Sequence, residues 1–361
     1  MNKSISMRQA GVILLFSIFT NKMLFLPSFM FNDVKADAIF AVILLFAIEL
    51  STLPIFFMLK RKFPNEKLYD ILKRYLSNII AKIIFLVLLI FVLFKALLTF
   101  SIVYVYFKQQ IYQNEFVWIA LVACVAVVSH ATLIGLRPMA RTMELLFKVA
   151  LAGFVFCLII SLFTPISTPT FFTTSVQDIF LSLYKYAFIF GDFVFIYLII
   201  DKIDYKKKDE KRVYFYAVLG MFLILALFYL FYSKYQVTSF MHNNALADLL
   251  VFSVQFNAVG RLDIVAMLTI MTITLFHIEI ACYLFSECFT SLFPLLNKKY
   301  AVVSFDVLFL VLYYIFIGKY EVMVSSTTTW LPIFGIICAY ILPIICLIIS
   351  LIKGRKYEKT D

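Results

Sequence analysis

The chain has 361 residues, of which 64% are hydrophobic and 15% charged, and it carries a net charge of +11. So little polar side chain cannot cover the outside of a soluble protein, and the composition demands a lipid-facing one. A positive charge of that size would suit nucleic acid, but its distribution argues against that partner: Lys and Arg collect in alternate gaps between apolar stretches, which is a membrane topology written in charge.

A membrane-crossing helix needs about 20 mainly apolar residues. The runs near 8–30, 36–59, 79–107, 117–134, 144–163, 179–200, 213–235, 260–285, 300–317 and 329–352 meet that need, so ten spans are predicted. Stretches such as Ile83–Phe94 are apolar on every face, whereas the strands of a membrane β-barrel alternate in polarity. With the N-terminus inside, the inward segments hold 23 Lys and Arg against 5 outside, which places both termini in the cytoplasm. Attraction to anionic lipid headgroups accounts for the remaining basic excess. The first apolar run lacks a small-residue cleavage site and reads as span one rather than as a cleaved signal. Cys124, Cys157, Cys282, Cys288, Cys338 and Cys346 lie in or beside spans without ligand-like spacing, and read as small hydrophobes.

Two helical connections stand out in chain order. Lys67–Ser77 sets Leu68, Ile71, Leu72 and Tyr75 on one face with Lys73 and Arg74 on another, and Asn243–Asn257 spaces Leu246, Leu249, Leu250 and Val254 as an interfacial helix would. Ten spans form one integral-membrane domain, residues 1–361, with two halves of five, about 8–163 and 179–352. Because five is odd, the second half enters the membrane from the opposite side, the layout of an inverted repeat. In such folds the first helix of each half is broken near the bilayer midplane, where freed backbone groups hold a solute. Phe190-Gly191-Asp192-Phe193 is the expected break in span six and Thr20-Asn21-Lys22, followed by Pro27, the expected break in span one, the alternative being two kinked but continuous helices.

Candidate ligand-binding residues follow from those breaks: Thr20, Asn21, Lys22, Gly191 and Asp192, joined by Thr269 and Thr272 on one face of span eight. An ion in hydrocarbon costs about 2.5–3.5 kcal/mol on insertion scales, so Lys22 needs a partner. Its ammonium either meets a ligand carboxylate, takes the place of a coupling sodium ion, or pairs with Asp192 to hold two broken helices together. Asp192 either receives a ligand ammonium or caps freed amides. Glu49 and Lys95 sit at matching depth in spans two and three and are expected to form an ion pair, with a proton-sensitive switch as the alternative. The threonine hydroxyls compete between ligand and their own backbone, and His277 reads as a satisfied interior histidine. Lys148 and Lys185 can snorkel outward. The three histidines, in separate segments, with no phosphate loop or metal cluster, supply no catalytic constellation; no enzyme activity, cofactor or metal is expected.

The chain resembles the spore permeases, the B subunits of bacterial spore germinant receptors and distant relatives of the amino acid–polyamine–organocation transporters. Over essentially the whole length the resemblance rests on Ser6, Gln9 and Pro27, on Leu59-Lys-Arg-Lys-Phe-Pro64, on Gly135-Leu136 with Arg141 and Glu144, on Phe190-Gly191-Asp192, and on Gly260-Arg261-Leu262-Asp263. It implies a five-plus-five inverted-repeat fold and a pocket between spans one, three, six and eight that recognises an amino acid or similar small germinant. It also implies a membrane A subunit and a lipoprotein C subunit as partners in the spore inner membrane. Relatives commonly break span one at a glycine and carry an aromatic near Thr269–Thr272; this chain has Asn21-Lys22 and no such aromatic. The resulting expectation is a ligand sensor, with a secondary amino-acid transporter or a scaffold with a vestigial pocket as alternatives.

Overall fold

A capping box starts the first span: the Ser6 hydroxyl accepts the Gln9 N–H at 3.2 Å, and the Gln9 carboxamide accepts the Ser6 N–H at 3.0 Å. Helix α1 (Met7–Thr20) follows, the chain turns through residues 21–25, and α2 (Leu26–Val34) resumes. Pro27 stands in the first turn of α2, where the N–H it lacks would have had no helical partner. Span one is therefore broken where the sequence predicts it, by Asn21 and the turn ahead of proline, without glycine. These features are those of a computed structural model, which describes residues 4–110, 117–163, 166–242, 244–251, 263–316 and 320–357.

Span two is α3 (Ala38–Lys62), and the amphipathic segment that follows is α4 (Leu68–Tyr75), with Leu68, Ile71 and Leu72 buried and Lys73 and Arg74 exposed, as predicted. Spans three, four and five are α5 (Asn78–Gln110), α6 (Val117–Ile134) and α7 (Leu136–Ser161). Span five begins earlier than its apolar run, because Gly135 at φ +115°, a region that favours glycine, turns the chain straight from α6 into α7. Span six is α8 (Val176–Tyr186), an unwound stretch over 187–193, and α9 (Val194–Leu198), so it too is broken at Gly191-Asp192.

The remaining helices are α10 (Glu210–Tyr235), α11 (Ala245–Val251), α12 (Asp263–Leu292), α13 (Lys298–Phe316), α14 (Tyr320–Thr329), α15 (Leu331–Ile336) and α16 (Leu342–Tyr357), the last two joined by a π turn over Ile337–Ile341. Among the described residues seven helices are long and apolar enough to cross a membrane, and Met7–Thr20 and Val122–Ile134 are shorter apolar helices. The predicted all-α membrane fold stands. One expectation changes. Helix α11 is not interfacial: Ala245, Leu246, Ala247, Leu249 and Leu250 are all buried, packed among α7, α10 and α12. The rest of that predicted segment, Asn243 and 252–257, lies outside the described residues, as do Gly260, Arg261 and Leu262 of the last resemblance motif.

The two broken spans run in opposite directions. A two-residue parallel pair, β1 (Ile5–Ser6) with β2 (Ile203–Asp204), joins the chain entering span one to the chain leaving span six. At this end α1 meets α9, and at the other α2 meets α8. An inverted repeat imposes this relation on the first helices of its halves.

Glycine is scarce, yet it decides one close approach. A Cβ on Gly335 would lie 2.5 Å from both Cα and N of Phe188, so α15 rests directly on the unwound backbone of span six. Gly220 faces only the Ile18 side chain, whose nearest atom would be 3.2 Å away. Gly335→Ala should therefore lower the thermal unfolding midpoint in detergent markedly, because backbone cannot yield as a side chain can. Gly220→Ala should change it little.

Candidate functional site

Both breaks open onto one buried charge cluster. Asp192, in the unwound part of span six, receives the Lys22 ammonium from the break of span one and the Lys95 ammonium from α5 at 2.6 Å. Lys95 also donates to the Ile189 carbonyl at 2.8 Å, a group freed by the unwinding. Glu49 of α3 accepts the Asp192 N–H at 3.0 Å and so caps the break from the side of span two. The Thr99 hydroxyl, one turn beyond Lys95, lies 3.0 Å from Asn21 Oδ1 and 2.9 Å from the Lys95 carbonyl. The side chains of Lys22, Lys95 and Asp192 are wholly buried.

Aromatic faces line the cluster. Lys22 Nζ lies 4.8 Å from the Phe190 ring centroid, and Lys95 Nζ lies 5.5 Å from those of Phe91 and Phe188. Each contact contributes from about 0.5 to 2 kcal/mol, more as water is excluded. Gly191 lets these rings close in: a Cβ there would meet Phe91 at 3.0 Å and Ala339 at 3.2 Å. Several buried atoms at the site have no hydrogen-bond partner, namely Asn21 Nδ2, Glu49 Oε2 and both ring nitrogens of His277. Unpaired polar atoms at such depth are costly.

The expected residues divide into two groups. Asn21, Lys22, Gly191 and Asp192 come together, and Thr20 lies beside them with its hydroxyl donated to the Phe16 carbonyl at 2.7 Å. Thr269 and Thr272 do not join them. Their hydroxyls donate to Val265 and Leu268 carbonyls, each at 2.8 Å, and Thr269 Oγ1 packs against Gly153 of α7. Glu49 and Lys95 meet through Asp192 rather than as a direct pair, because the break supplies each with a nearer partner, an amide for the acid and a carboxylate for the ammonium. Sequence reading missed Thr99, whose signal was its four-residue spacing from Lys95, and took His277 for a satisfied histidine.

The cluster is sealed on both faces. On the side of β1 and β2, Arg8 and Gln9 hold Glu144 of α7 at 2.9 and 3.2 Å, Lys60 donates to the Ile200 carbonyl at 2.7 Å, and Lys202 pairs with Glu287. On the opposite side Lys185 of α8 reaches Asp33 of α2 at 2.9 Å. There α11 also enters the break of span one: the N–H groups of Ala245 and Leu246 donate to the Leu24 and Met23 carbonyls at 3.0 and 3.1 Å. Ser28 adds a hydrogen bond to the His242 carbonyl.

Removing Asp192 leaves two buried ammonium groups without their shared anion, whereas removing Lys22 leaves Asp192 with Lys95. Breaking a buried pair costs about 3–5 kcal/mol when a charge is left unmatched. Thermal unfolding should accordingly show Asp192→Asn far more destabilised than Lys22→Met. In the connection carrying α11, burial raises the Asp248 carboxyl to about 6, against the pull of the Asn244 N–H and the Lys234 ammonium. His242 Nδ1 stands 3.8 Å from it. A carboxyl raised on folding stabilises below its unfolded value, near 3.8, and that contribution is lost as pH climbs through about 6. The unfolding midpoint of the wild type should fall relative to Asp248→Asn over that window; parallel profiles would show that Asp248 does not titrate there.

No curated protein matches the chain. The family model described as spore germination protein matches residues 4–322. That match spans both broken helices, the Asp192 cluster and most of the bundle, and the chain belongs to the spore germination protein family of membrane permeases.

Proposed function

We propose that the chain is the membrane-embedded sensor subunit of a spore germinant receptor, binding an amino acid or similar zwitterion at the Asp192 cluster and signalling to partner subunits. The observation that carries this reading is the pairing of Lys22 and Lys95 with Asp192 across two helix breaks, beside buried polar atoms that lack partners. A ligand carboxylate can take the Lys22 ammonium while its own ammonium takes the carboxylate oxygen Lys22 leaves. One ion pair becomes two without adding net charge to a buried site, which favours a zwitterion over a simple anion or cation. Asn21 Nδ2, Glu49 Oε2 and His277 then offer the remaining donors and acceptors. The function is recognition without covalent chemistry.

The ligand moves the protein only by binding one conformation better than another. With contacts sealing both faces, entry requires one set to open, and reclosure around the ligand is the signal. The partners in this reading are the receptor's membrane A subunit and lipoprotein C subunit, in the spore inner membrane, with both termini in the cytoplasm. A secondary amino-acid transporter is the second reading, and the latching of both faces favours it, since alternating access needs a closure on each side.

Reconstituted protein tested with labelled amino acids for binding and uptake in parallel separates these readings. Saturable binding without flux, lost in stably folded Lys22→Met, is the expected result. Flux would establish the transporter, and absence of both across the amino acids would leave a scaffold.

A further inference from the structure

At the end of the bundle where β1 and β2 pair, a cleft of about 360 Å³ opens between the feet of α1 and α10, lined by Arg8, Lys211, Arg212, Phe215 and Tyr216. We infer that this cleft is a binding site for the headgroup of an anionic phospholipid, its phosphate held by Arg8, Lys211 and Arg212 and one acyl chain laid along α10.

The charge is arranged for an anion. Arg8 gives its Nε to Glu144 at 2.9 Å while its side chain stays about half exposed, leaving the outer face of the guanidinium toward the cleft. Arg212 reaches Asp209 only at 3.3 Å and is 60% exposed. Lys211 is exposed and makes no ion pair or hydrogen bond among the described residues. Donors thus outnumber acceptors around the opening, and guanidinium groups match phosphate oxygens in pairs.

The floor and the exit are apolar. Tyr216 packs edge-on against Phe147 of α7, with ring centroids 5.5 Å apart, and presses on Gly11, so the cleft is bounded by spans one, five and seven. From the cleft, Phe215, Val218, Phe222 and Tyr229 continue up α10 at helical spacing, all exposed. Both helices begin here, with their charged first turns at the headgroup level and their apolar lengths beyond it. A basic pocket between spans at that depth, continued by an apolar track, suits a lipid rather than a free anion, which would use the cations and ignore the track.

The test is native mass spectrometry of the protein released from uncharged detergent, with phosphatidylglycerol, phosphatidylcholine or inorganic phosphate added. The expected result is a bound phosphatidylglycerol, weak phosphatidylcholine binding, and about a thirtyfold loss of affinity for phosphatidylglycerol in Lys211→Gln/Arg212→Gln, the weight of two basic side chains facing an anionic lipid. Lys206→Gln/Lys208→Gln, which removes equal charge from the same connection outside the cleft, should lose less than about threefold. Equal losses in the two double variants would overturn the site as mere basic surface. Displacement of the lipid by millimolar phosphate would overturn it as a free-anion site. Should the double variant fail to fold, Lys211→Gln alone carries the same comparison. The readout is independent of any germinant, so its failure and that of the sensor reading are separable.

Discussion

One carboxylate, Asp192, carries the electrostatic load of the membrane interior of this protein. It sits where span six unwinds and neutralises an ammonium from span one and another from span three, while its own amide is capped by Glu49 from span two. Four segments are thereby tied at one point in a medium where an unmatched charge is expensive. The two breaks depend on this knot. Unwound backbone at membrane depth is tolerated only where protein or water satisfies it, and here the Ile189 carbonyl is satisfied by Lys95 and the Met23 and Leu24 carbonyls by the amides of α11.

Around the knot, polar contacts sort by face. Residues of the motifs that mark the family resemblance hold one end together: Ser6 and Gln9 start span one, Gln9 and Glu144 join span one to span five, and Lys60 and Arg61 reach the Ile200 carbonyl and Glu210. At the other end the attachments are a salt bridge, Lys185 with Asp33, and a buried helix inserted into a break. Each face thus carries discrete contacts that are either made or broken. Between them, Gly335 brings α15 directly onto the backbone of Phe188 in the unwound stretch of the sixth span.

At the foot of α1 and α10, basic residues frame a cleft rather than a flat surface. Arg8 both pairs with Glu144 at the end where β1 and β2 meet and lines that cleft.

The amino-acid sequence alone determined the all-α membrane class and both broken helices, because these rest on local properties: apolar run length and the backbone preferences of Gly191, Asn21 and Pro27. Contact between Lys22 and Asp192 was one of the alternatives legible in the sequence, beside a ligand carboxylate or the place of a coupling ion for Lys22, since an ion deep in hydrocarbon needs a partner. Only the tertiary structure decided who else meets them. Lys95 goes to Asp192 instead of Glu49, His277 and Thr99 arrive at the cluster, Thr269 and Thr272 turn to their own helix, and α11 is buried in the break of span one. Those outcomes turn on helix rotation and on contacts between residues far apart in the chain, which periodicity constrains to a face but does not assign to a neighbour.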